Sequence, residues 1–236
     1  MYSFQSKIRY SEIDKDGYLT LEAMMNYFQD CSAMQSEELG VGIDYQKAHQ
    51  YTWMILLWHV QIFRRPKYGE EVTVGTWPYS FKHIKGGRHF VLLDKDGNTL
   101  VRANSEWVMI DLKENRIAKI PQELRDIYQV GEALPMGDIK KKIVTTEEME
   151  ACDKITVTPF FLDTNGHVNN VKYLSVAEGY IGDKDTYDEF RVEYRNQAFL
   201  HDDICVYRSH IENRNQIVLK NQKDELLVNI EFGKME

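Results

Sequence analysis

The chain has 236 residues, 43% of them hydrophobic and 12% aromatic, enough to bury a core in one large domain or two small ones. Its formal net charge of −8 argues against nucleic acid or an anionic membrane as the main partner, because those surfaces reward a basic face. Cys31, Cys152 and Cys205 are too scattered for a metal site or redox motif, and no apolar run reaches the length of a membrane span, so a reduced, cytoplasmic, cofactor-free protein is expected.

Residues 4–10 alternate as a strand would, and a turn at 14–20 leads into an amphipathic segment. Leu21, Met24, Met25, Phe28 and Cys31 recur at helical spacing, Thr20 is a good cap and Gly40 a good stop. Residues 53–64 and 72–76 read as neighbouring antiparallel strands, and runs at 88–93 and 100–110 flank the hairpin signal Asp96-Gly97. A short helix is expected at 122–128, and residues 131–152, with Pro135, Gly137 and a lysine run, read as a linker. A second helix at 169–181 and strands near 190–195, 204–210, 217–219 and 226–232 follow.

The stretch Asp163-Thr164-Asn165-Gly166-His167-Val168-Asn169-Asn170 sets a carboxylate, an amide and an imidazole on alternate positions before a helix start. If the stretch is extended, Asp163, Asn165 and His167 point to one side. The open amides of Asn169 and Asn170 at the helix entrance suit an anionic oxygen. By spacing alone the stretch reads equally well as a structural turn. Asp14-Lys15-Asp16-Gly17-Tyr18 matches it in order but has tyrosine where the second copy has His167.

Residues 60–74 also align without gaps on 192–206, and Glu106-Trp107 falls on Glu231-Phe232. A duplication of this length implies two copies of one supersecondary unit. A helix wrapped by a curved antiparallel sheet, made twice, is an α+β arrangement of two tandem hotdog domains, at 1–130 and 153–236.

Three blocks carry a resemblance over nearly the whole chain: residues 163–173, Val192-Glu193-Tyr194-Arg195, and Arg102-Ala103-Asn104-Ser105-Glu106-Trp107 with Lys119-Ile120-Pro121. The chain resembles the acyl-ACP thioesterases of plants and bacteria. That resemblance implies hydrolysis of the thioester between a fatty acyl chain and the phosphopantetheine arm of acyl carrier protein. It implies catalytic roles for Asp163, Asn165 and His167, and an acyl pocket largely in the first domain, with Met25, Phe28 and Trp53 as candidate walls. The family pattern has an acidic residue and a cysteine after the Glu-Tyr-Arg block, where this chain has Gln197 and Ala198. A cysteine nucleophile is therefore excluded there, and Gln197 is expected to orient water for direct hydrolysis.

Lys82, Lys85 and Arg88 are the expected docking cations for the acidic carrier. No metal ligand set is expected. An acyl-CoA thioesterase and a non-hydrolytic acyl- or carrier-binding module are the rival functions, and pairing into a homodimer is left open.

Overall fold

Threonine before an apolar-periodic run fixes where the long helix begins. In the computed structural model, which describes residues 1–136, 142–163, 165–182 and 187–235, the Thr20 hydroxyl accepts from Ala23 N at 3.1 Å and opens α1, Leu21–Glu38. The helix ends where Gly40 takes φ +74°, a conformation that suits glycine. The apolar stripe of α1 faces a sheet: Phe28 lies 5.3 Å from Phe90 and 6.3 Å from Trp58, and the Cys31 thiol donates to Val74 O. Burial pushes the Cys31 thiol up to about 12, so it stays protonated.

The chain divides into two units, 1–139 and 140–236. In the first, β1 (Tyr2–Lys7), β2 (Tyr51–Ile62), β3 (Glu71–Lys82), β4 (Lys85–Asp94) and β5 (Thr99–Asp111) lie in the order β1-β3-β4-β5-β2, all antiparallel. The expectation that residues 53–64 and 72–76 are neighbours is corrected by this order. Strand β2 pairs with β5, Trp58 opposite Ser105, while β3 pairs with β1 and β4. Alternation identifies a strand but not its partner, and the 63–70 connection is long enough to carry the chain across the sheet. A short helix α2 (Ile43–Ala48) and strand β6 (Arg116–Ala118), paired with β5, were not legible in the pattern. Helix α3 (Gln122–Ile127) stands where expected.

In the second unit, β7 (Glu150–Thr156), β8 (Glu189–Tyr194), β9 (Asp203–Ile211), β10 (Arg214–Asn221) and β11 (Leu226–Gly233) lie in the order β8-β11-β10-β9-β7. Glu150, Ala151 and Cys152 therefore belong to a strand, not to a connecting segment. That strand is almost wholly exposed, so no buried face printed a hydrophobic alternation on it. Gly137, Lys140 and Lys141 of the expected linker lie outside the described residues. Helix α4 spans Asn170–Glu178, nine residues against eighteen in α1, and stops short of the expected 181. Tyr173 and Leu174 bury its inner face, and Phe190 packs 6.0 Å from Phe232 in the core. Among the described residues no helix is long and apolar enough to cross a membrane.

Candidate active site

The stretch that holds His167 is a tight loop rather than an extended segment, which corrects the alternate-residue expectation. Asp163 N donates to His167 O at 2.8 Å and Gly166 N to Asp163 O at 3.1 Å. The Asp163 carboxylate oxygen Oδ1 accepts from Asn165 N at 2.8 Å and from His167 N at 3.2 Å. Gly166 sits at φ +77°, where a side chain is strained. Asp163 is thus the acceptor that closes its own turn. Thr164 lies outside the described residues.

The same five-residue loop occurs four times among the described residues. Asp14 accepts from Asp16 N and Tyr18 N, Asp94 from Asp96 N and Asn98 N, and Asn221 from Lys223 N and Glu225 N. Their fourth residues, Gly17, Gly97 and Asp224, all have positive φ. An Asx residue at such a position is first a turn former, and only what surrounds a loop distinguishes it.

The Asp14 and Asp163 loops have matching surroundings in their own units. Leu19 N donates to Pro66 O at 2.9 Å, and Val168 N donates to Ala198 O at 3.0 Å. Tyr18 bridges to Lys67, and His167 to Phe199. Gly69 at φ +77° and His201 at φ +71° donate to Ile8 O and Val157 O. Arg65 therefore corresponds to Gln197.

At those matched positions the chemistry diverges. Arg65 Nη2 lies 3.0 Å from Asp14 Oδ2, and Arg65 Nε donates to Leu19 O at 2.9 Å. Lys67 Nζ stands 5.1 Å from the Tyr18 ring centroid. In the second unit, among the described residues, no cation pairs with Asp163, and the Phe199 ring meets the His167 ring edge-on at 5.0 Å. His167 is half-buried, whereas Asn165 and Gln197 are exposed.

At the helix entrance the Asn169 side chain accepts from Val171 N at 3.1 Å, and Asn169 N donates to Phe161 O. Asn169 is therefore a cap, and its use of the Val171 amide leaves Asn170 N as the helix-start donor. Ala198 is fully buried, and its N–H donates to the Tyr173 hydroxyl at 2.9 Å. Burial raises that phenol to about 12, so it remains a neutral partner. Among the described residues no group of three or more His, Cys, Asp or Glu is arranged to hold a metal ion.

The first unit contains a cavity of about 340 Å³. Trp53 lines it, together with Phe81 and Trp107. Met25 and Phe28 do not: they are 2% and 0% exposed and belong to the core. The cavity opens beside a neighbouring stripe of α1, Gln29, Ser32, Ala33 and Ser36, whose i, i+3, i+4, i+7 spacing puts one glutamine and three short side chains on one face. That stripe was the readable signal, and apolar-only periodicity passes over it.

The expected docking cations separate. Lys82 is exposed, and Lys85 Nζ pairs with Glu106 Oε1 at 2.5 Å. Arg88 is 9% exposed and lines the cavity, so it belongs to no surface patch. Strand alternation turns it inward, and burial pulls its guanidinium down to about 10, still charged at neutral pH.

The model of the acyl-ACP thioesterase N-terminal domain matches residues 1–128, and that of the acyl-ACP thioesterase C-terminal domain matches residues 144–233. The chain belongs to the acyl-ACP thioesterase family. Relatives in that family include an acyl-[acyl-carrier-protein] hydrolase (FATB2, chloroplastic) of Cuphea viscosissima, 32% identical over 185 residues, covering 71% of this chain and 44% of that protein. A chloroplastic palmitoyl-acyl carrier protein thioesterase of Cuphea hookeriana is 33% identical over 185 residues, with 71% and 43% covered. The chain thus spans less than half the length of these curated relatives.

The crystal structure of an acyl-ACP thioesterase from Bacteroides thetaiotaomicron VPI-5482 superposes with a TM-score of 0.89 at 22% identity, over 98% of this chain and 96% of that one. The 12:0-ACP thioesterase from Umbellularia californica gives 0.84 at 21%, with 98% and 96% covered. These likenesses establish the α+β hotdog fold. Ala198, fully buried, has no nucleophilic atom, and Gln197 beside it is exposed.

Proposed function

We propose that the chain hydrolyses the thioester of a fatty acyl chain carried on acyl carrier protein, releasing the free acid and the carrier thiol. The observation that carries this reading is the asymmetry between two matched loops. The Asp14 loop pairs its carboxylate with Arg65 and presents Tyr18, whereas the Asp163 loop presents His167 and has Gln197 in place of the arginine. A turn needed only for structure has no use for that exchange.

In the reaction, His167 takes a proton from water as its oxygen adds to the thioester carbonyl. The tetrahedral oxyanion is held by Asn170 N, with Asn165 and Gln197 orienting the water. Collapse breaks the C–S bond, and His167 returns the proton to the departing thiolate. Asp163 acts as a positioning residue, since its Oδ1 fixes the backbone of the residue that carries the imidazole. General base assistance is worth roughly two to four powers of ten, and one oxyanion donor about two to three. Lys82, the exposed member of the three cations, is a docking candidate for the acidic carrier.

Release of free thiol from an acyl-ACP tests the reading, with the matched acyl-CoA as a second substrate. The wild type should release thiol faster from the carrier substrate, and His167→Ala should lose roughly 10²- to 10⁴-fold in kcat while keeping its melting temperature. Near-normal turnover in His167→Ala refutes the assignment. Absence of thiol release by the wild type favours a binding module.

A further inference from the structure

Arg88 is a buried charge that the first unit does not neutralise. Its Nη1 donates to Gln35 Oε1 and, at 3.1 Å, to Thr76 Oγ1, and its guanidinium carbon lies 5.4 Å from the Tyr128 ring centroid. All of these partners are neutral, and among the described residues no carboxylate forms an ion pair with it. Three partly buried arginines elsewhere do meet a carboxylate: Arg65 pairs with Asp14, Arg191 with Glu231 and Arg214 with Glu189. A guanidinium out of water without a counter-ion is costly unless something anionic meets it.

Arg88 lines the cavity between Trp53, Phe81 and Trp107. Gln29 lines the same cavity, and its side-chain nitrogen Nε2 is buried with no acceptor among the described residues. The one acidic lining residue, Asp30, is exposed and makes no ion pair with the guanidinium. Apolar walls with a buried cation and a spare amide donor describe a site for an amphiphile.

We propose that this cavity binds an apolar chain that ends in a carboxylate, with Arg88 as the partner of the anion and Gln29 as a second donor. Two sources have this chemistry: a free fatty acid, or an acyl group whose far end is itself a carboxyl. Only the second source rests on the hydrolase reading above.

Trp53 and Trp107 supply a fluorescence reporter for titration of the full chain with decanoate and, as an uncharged match, decan-1-ol. Decanoate should bind about 10- to 100-fold more tightly, as expected when one charged hydrogen-bonded pair is gained. Arg88→Met should erase the difference, and Gln29→Leu should weaken decanoate several-fold. Equal binding of decanoate and decanol by the wild type overturns the proposal, whether or not Arg88→Met folds and whether or not the protein turns over thioesters. Carrier-linked decanoyl and 9-carboxynonanoyl thioesters separate the sources. A hydrolytic preference for the carboxyl-ended chain that is lost with Arg88 assigns the anion to substrate, and tight decanoate binding without that preference assigns it to the released acid.

Discussion

Arg65 and Asp14 form an ion pair at 3.0 Å whose side chains are 17% and 12% exposed, and the guanidinium also caps Leu19 O. The loop of the first unit is thereby closed electrostatically. Arg65→Met should destabilise the protein by about 2 to 3 kcal/mol, since it strands a half-buried carboxylate and a carbonyl. Urea denaturation checks this, and a loss below about 0.5 kcal/mol would mean that the pair is only a surface contact. Thiol release should be unaffected at temperatures where the variant is folded.

Gln197→Arg transfers that closure to the second unit. The new cation would pair with Asp163 and oppose protonation of His167, so kcat should fall about tenfold or more while the melting temperature holds or rises. An unchanged kcat would show that leaving Asp163 without a paired cation has no bearing on turnover.

Asp163→Asn separates the turn from the charge. Asn221 performs the same backbone closure in the loop between β10 and β11, accepting from Lys223 N at 2.9 Å and Glu225 N at 3.0 Å. An amide is therefore sufficient for the geometry, and stability should change by no more than about 0.5 kcal/mol. A fall in kcat of about tenfold or more would then report on the carboxylate itself. Wild-type kcat would reduce Asp163 to a turn former.

His89 gives the first unit a pH dependence. Its Nε2 accepts from Leu134 N at 3.0 Å, its ring stacks on Tyr79 at 4.1 Å, and it is 1% exposed. Burial lowers its pKa from 6.5 to about 4, with the Arg102 charge adding to the shift, because the imidazolium loses its hydration there. Between those values the unfolded chain binds more protons than the folded one. Stability is therefore full above about 6.5 and is lost as pH falls towards 4, by an amount on the order of 3 kcal/mol. Urea midpoints at pH 7 and pH 5 should differ more for the wild type than for His89→Gln. Equal pH slopes would dismiss His89 as the titrating group.

What was legible in the sequence is what neighbouring residues settle among themselves. Thr20 with the stripe from Leu21 to Cys31 announces a capped helix, Asp96-Gly97 announces a hairpin, and Asp14 and Asp163 announce one loop made twice, because capping and turn closure involve atoms within about five residues of each other. The ungapped match of residues 60–74 to 192–206 likewise places Gln197 opposite Arg65 before any coordinate is known.

Partners from distant parts of the chain decided the rest. Strand alternation in β2 is the same whether β3 or β5 lies beside it, and Lys82, Lys85 and Arg88 look alike as a run of cations until β4 turns Arg88 beneath Tyr128. The turn role of Asp163, the split of α1 into a core stripe and a cavity stripe, and the uncompensated guanidinium all depend on which side chains tertiary packing brings into range. Burial is a property of the whole fold, whereas a cap or a turn belongs to a handful of consecutive residues.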